Sequence, residues 1–73
     1  MDDEVIAGEK ISFRIGAVRT LSKEFRGIVF EKRFDDLHTA EIEHPCPSEL
    51  MFIEDALREA RLLRKTLITK LIT

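Results

Sequence analysis

No tryptophan or tyrosine occurs in the 73 residues, cysteine occurs once, and proline and glycine are confined to two and three positions. Without Trp and Tyr, the usual aromatic anchors of protein interfaces are missing, and Arg is left as the remaining residue type enriched there. The single Cys46 excludes an intrachain disulfide framework and the paired-cysteine motifs of structural zinc sites. No apolar run approaches the roughly 18 residues of a membrane span, so no membrane partner is expected. Internal repeats and low-complexity segments are also lacking. The opening Met-Asp-Asp-Glu is acidic where a targeting peptide would be basic. Together with the lone thiol, this predicts a reducing, cytoplasmic setting.

A chain this short makes one domain and buries only about 60% of the surface its unfolded form exposes, so its own core is marginal and oligomerisation is an obvious remedy. The net charge of −2 conceals a segregation of sign along the chain. Residues 1–9, 10–34, 35–59 and 60–73 carry −4, +5, −7 and +4 respectively. Such alternation favours docking of one segment on another, within a chain or between copies.

The segment from Ser48 to Thr73 contains no Gly or Pro and reads as one long amphipathic helix. Pro45 and Pro47 favour extended backbone before it, Ser48 is placed as its N-cap, and Pro47 with Phe52 could form a hydrophobic staple. Ile53, Ala60, Leu67 and Leu71 fall near one line at 100° per residue, and with their flanks they span an apolar arc of roughly 160–200°, wider than a one-sided surface helix needs. Acids crowd the first half and bases the second, as the helix dipole favours. Residues 66–73 are rich in β-branched side chains, but apolar positions 67, 68, 71 and 72 keep helical spacing and favour helix over strand.

Upstream, residues 1–9 read as a flexible acidic arm, unless Val5 and Ile6 pair with a neighbouring strand, and residues 10–73 as the single domain. Ile11, Phe13, Ile15 and Ala17 alternate with Lys10, Ser12, Arg14 and Gly16, which predicts a half-buried strand. Residues 19–24 form a hairpin connection. Phe25 to Phe34 predicts a second strand with Ile28, Phe30 and Phe34 toward the core and a bulge near Gly27. After a turn at Asp35-Asp36-Leu37, residues 38–44 predict a third, weaker strand. The fold expected is α+β, a three-stranded antiparallel meander followed by one long C-terminal helix packed on one face.

If residues 49–72 were all helical they would extend about 36 Å, against roughly 27–30 Å for strands of eight or nine residues. The overhang would expose Leu67, Ile68, Leu71 and Ile72, which together with Leu63 are the candidate interface residues for a homodimer, another homo-oligomer or another protein partner.

His38, His44 and Cys46, with Asp35, Asp36, Glu41 or Glu43 as a fourth, could be read as metal ligands. They lack the second paired motif that zinc sites use, and no metal or other cofactor is expected. Cys46 and His44 just before a helix N-terminus suggest a thiol nucleophile, but no orienting third group or oxyanion hole accompanies them and no catalytic residue is assigned. The alternative to a protein interface is nucleic acid on the basic first hairpin, through Arg14, Arg19, Lys23, Arg26, Lys32 and Arg33. Arg26-Gly27-Ile28-Val29-Phe30 partly matches the [KR]-G-[FY]-[GA]-F pattern of RNA-recognition motifs. Ile28 replaces the first stacking aromatic, Val29 takes the small-residue position, and the β-α-β-β-α-β order is missing, so no membership is claimed. A pI near 5.6 also opposes a phosphate-tracking surface. The function expected is a small, non-enzymatic regulator, inhibitor or adaptor that self-associates through its C-terminal helix.

Overall fold

The alternation of Ile11–Arg19 and the adjoining Phe25–Phe34 produces a long antiparallel hairpin, to which one further strand adds on either side. The structure, a computed structural model, describes residues 4–8, 10–35 and 37–72, apart from the side chains of residues 4, 7 and 72. In chain order the elements are β1 (Glu4–Gly8), β2 (Ile11–Arg19), β3 (Phe25–Phe34), β4 (Thr39–Pro45) and α1 (Ile53–Ile72). The sheet order is β1-β2-β3-β4 with every neighbouring pair antiparallel. The α+β meander is thus observed with four strands, not three. Val5 and Ile6 pair with Phe13 and Ser12, and this pairing adds the extra strand.

The β2–β3 connection closes through the Lys23 N–H donating to the Thr20 carbonyl at 3.0 Å, with Lys23 at a φ of 66°. At the next turn Asp35 Oδ1 accepts from the backbone N–H of Leu37 at 2.9 Å and of His38 at 2.6 Å, the local side-chain bonding for which Asp suits turns.

Cross-strand partners point to the same side of a sheet, so the register sorts the residues into two faces. One face carries Val5, then Ile11, Phe13, Ile15 and Ala17, then Gly27, Val29, Glu31 and Arg33, then Ala40, Ile42 and His44. α1 lies on this face, against β2 and β3. The core is Phe13, Val29, Cys46 and Ala60, with Ile11, Ile15, Leu63, Leu67 and Ile68 packed around it. Ile28, Phe30 and Phe34 stand on the face away from the helix; Ile28 is buried there, whereas Phe30 and Phe34 are only half-buried, which corrects the expectation that they point toward the core. The space under α1 demands small residues at Gly27, Ala56 and Ala60, and this selects the other phase of β3.

The helix also starts later than Ser48. Cys46 N–H donates to the Gly27 carbonyl at 2.8 Å, and Leu50 exchanges two backbone bonds of 2.7 Å with Phe25, so the chain remains beside β3 as far as Leu50. Four residues advance on this strand while two advance on β3, and the excess loops out around Ser48. α1 then begins at Ile53, where the Phe52 carbonyl accepts from the N–H groups of Asp55 and Ala56. Residues 66–72 are helical, as their spacing predicts. The 20 residues of α1 rise about 30 Å, and the ten of β3 extend about 33 Å. α1 is therefore shorter than the 36 Å expected from the sequence, and Leu71 near its C-terminal end is 40% exposed.

Candidate interaction surfaces

Helix and sheet also differ in width. Four strands about 4.8 Å apart set the outer pair about 14 Å from each other, and a helix about 10 Å across covers two of them. One row across the helix-side face shows the result. Val5, Phe13, Glu31 and Ile42 stand side by side on successive strands, and their exposures are 37%, 1%, 5% and 44%. The middle pair, on the two strands that α1 packs against, is buried, and the outer pair is exposed. Ile53 and Leu71 share the helical line of Ala60, yet they are 46% and 40% exposed because the two ends of α1 run past the covered middle.

The predicted interface residues are divided by this geometry. Leu63, Leu67 and Ile68 are half-buried against the chain's own core, and Leu71 is exposed. The side chain of Ile72 lies outside the described residues. Sequence reasoning missed Val5 and Ile42, whose signal was their alternation in phase with Phe13 across the meander.

The basic residues are not gathered into one patch either. Arg14, Arg26 and Lys32 share the face away from the helix, Arg19 and Arg33 lie on the helix side, and Lys23 is in the turn. Most are engaged locally. Arg14 reaches Glu41 at 3.2 Å and stands 4.4 Å over the Phe30 ring, while Arg26 donates to the Cys46 carbonyl at 2.6 Å and to Glu49 at 3.2 Å. Arg19 lies 5.9 Å over Phe25, and Arg33 pairs with Glu31. The Arg14 and Arg26 pairs join the basic block at 10–34 to the acidic block at 35–59, intramolecular docking of the kind the charge segregation favours. Ser22 also donates to Glu49 at 2.5 Å, tying the hairpin turn to the segment that leads into α1.

Cys46 is 1% exposed and lies seven residues before α1, not at its N-terminus. Burial, reinforced by Glu59 and opposed by Arg26, pushes its thiol up and favours the neutral form. His38 sits beside Asp35 in the β3–β4 turn, six residues along β4 from His44, so the two histidines are about 20 Å apart. Among the described residues no group of three His, Cys, Asp or Glu is placed to hold a metal ion, and no helix is long and apolar enough to cross a membrane.

One polar cluster, centred on the buried Glu31, was not visible in the sequence. Glu31, on the helix side, receives the Arg33 guanidinium on one oxygen and His44 Nε2 at 2.8 Å on the other. Burial pushes its carboxyl up, but these hydrogen bonds and the adjacent Arg33 and His44 outweigh that and hold it below its ordinary value. Asp35 and Glu49 are also held low, by the backbone N–H groups of Leu37 and His38 and by the hydroxyls of Ser22 and Thr20 with Arg26. A carboxylate held low contributes stability above the ordinary carboxylate pKa of about 4.3 and loses it as pH falls through the lower folded value. Thermal melts should therefore show Glu31→Gln less stable than wild type at pH 7, with the gap closing as the pH falls below the ordinary carboxylate value. A gap independent of pH would mean that Glu31 acts by packing alone.

Comparison with protein-family models, with curated proteins and with solved structures gives no match.

Proposed function

We propose that the chain is a small, non-enzymatic protein-interaction module of the regulator, inhibitor or adaptor kind, working in a reducing, cytoplasmic setting and self-associating through its helical layer. The observation that carries this reading is the row Val5, Phe13, Glu31, Ile42, in which the helix covers the two middle strands and leaves an apolar side chain exposed on the outer strand at either side. A second copy can lay its own α1 beside the first and cover β4, the outer strand on that side, with Leu71 and Ile53 as the apolar contacts each end offers. An isologous arrangement of this kind is the commonest way for identical chains to close. The scattered and already paired cations support a protein partner over nucleic acid, because phosphate tracking needs a continuous basic surface.

Light scattering at micromolar concentration is expected to give a dimer for the wild-type chain. Ile42→Asp with Leu71→Asp should give a monomer of unchanged circular dichroism, because both side chains are exposed within one copy. A monomeric wild type would refute self-association.

A further inference from the structure

We propose that the outer edge of β4 is a docking site for an extended basic segment of another protein, which joins the sheet as a fifth strand. This goes beyond self-association of the helical layer and uses a different set of groups, the backbone edge and two carboxylates.

The two edges of the sheet differ. β1 is five residues long and its register shifts between Ile6 and Gly8, the kind of irregularity that discourages strand addition. β4 runs seven residues, its register with β3 is unbroken from Thr39 to Pro45, and every residue but His44 is exposed. A strand edge that is long, regular and bare offers unpaired N–H and C=O groups to another chain.

The ladder tells which groups those are. Cys46 N–H bonds to the Gly27 carbonyl and Asp35 N–H to the His38 carbonyl. In an antiparallel pair bonded and non-bonded positions alternate, so Ala40, Ile42 and His44 bond to β3 while Thr39, Glu41 and Glu43 turn their N–H and C=O outward. The same residues aim their side chains at the face away from the helix, and two of them are acidic.

Charge selects the occupant. A second copy of β4 laid antiparallel about Ile42 would set Glu41 opposite Glu43 twice over, and like charges directly opposite are destabilising. β1 of another copy carries Glu4 and no base, and so offers no better match. Arg14 reaches Glu41 from inside the sheet, and Glu43 has no ion pair among the described residues. An incoming strand with Lys or Arg at alternate positions would meet both carboxylates, and an aliphatic residue between them would lie beside the half-exposed Ile42 on the other face. The segment recognised is therefore basic-aliphatic-basic in extended conformation.

The test uses the full chain and a synthetic peptide of alternating lysine and valine, with one of alternating glutamate and valine as comparison. Amide exchange read by NMR should slow at Glu41 and Glu43 with the lysine peptide and stay unchanged with the glutamate peptide. Glu41→Lys with Glu43→Lys should reverse the preference, by about tenfold in affinity for each peptide. Glu43→Pro and Glu43→Gln remove the same charge, but only proline removes an outward N–H, and neither breaks a bond to β3. Binding should be weaker for the proline variant than for the glutamine variant. Equal binding by the two, or no slowing at Glu41 and Glu43 with the lysine peptide, would overturn the proposal. Slowing at these amides without peptide, at concentrations where the chain is dimeric, would assign the edge to a second copy and overturn it equally. The peptide readout does not depend on oligomeric state, so failure of self-association in light scattering leaves it intact.

Discussion

Gly27→Ala is expected to cost about 3 kcal/mol of stability, and Gly27→Val to leave the chain largely unfolded at 25 °C. A side-chain carbon on Gly27 would overlap the Ala56 carbonyl oxygen and stand 3.1 Å from the Ala60 Cβ. The first obstacle is helix backbone, which yields only if α1 moves off the sheet. A 73-residue domain has roughly 4–11 kcal/mol in total, so such a loss is a large share of it. The other two glycines are the controls. At Gly16 the added carbon would meet the edge of the Phe30 ring at 3.0 Å, a side chain that can shift, and at Gly8 it would meet nothing within 4 Å. Urea melts should therefore rank Gly27→Ala well below Gly16→Ala, with Gly8→Ala close to wild type. If Gly27→Ala lost under about 1 kcal/mol, the helix would not be seated on β3 as closely as described.

That close approach also explains where the sequence misleads. The alternation of Ile11, Phe13, Ile15 and Ala17 gave β2 its inward face correctly, because three large apolar side chains and an alanine in one phase leave little choice. In β3 the larger apolar residues, Ile28, Phe30 and Phe34, occupy the wrong phase. Counting them favours the outer face, whereas the layer contact is decided by Gly27, whose signal is the lack of a side chain. The same limit applied at the helix start. Pro45 and Pro47 before Ser48 resemble the end of one element and the cap of the next, but Pro45 opposes Ile28 at a non-bonded position, where a missing N–H costs the ladder nothing. The strand could therefore run to Pro45, and the chain beyond it returns to β3 only at the isolated Phe25–Leu50 bridge. The candidate interface was legible in its residue types and not in its placement, because a sequence shows that a helix has a wide apolar arc but not how many strands lie beneath it. Glu31 could not have been assigned to the buried side from its own type, since its partners Arg33 and His44 are set by strand register.

Phe13→Ala is expected to cost about 3–5 kcal/mol, close to the whole stability of the domain, whereas Phe30→Ala should cost only about 1–2 kcal/mol. The two rings look equivalent in sequence, each standing in an alternating strand among aliphatic neighbours. Phe13 is 1% exposed within the cluster of Val29, Cys46 and Ala60, so its removal leaves a cavity that the two layers cannot close without losing contact. Phe30 is half-buried on the face without the helix, where its ring lies across Gly16 and beneath the Arg14 guanidinium. Its loss gives up part of one side chain's burial and one exposed cation–π contact of about 0.5–1 kcal/mol, and water fills the space without penalty. Denaturant melts of the two variants measure the difference, and a larger cost for Phe30→Ala than for Phe13→Ala would place the helix on the opposite side of the sheet. The bare strands and the β4 edge are defined relative to that side, so a large gap between the two phenylalanines is the condition under which both interaction surfaces stand.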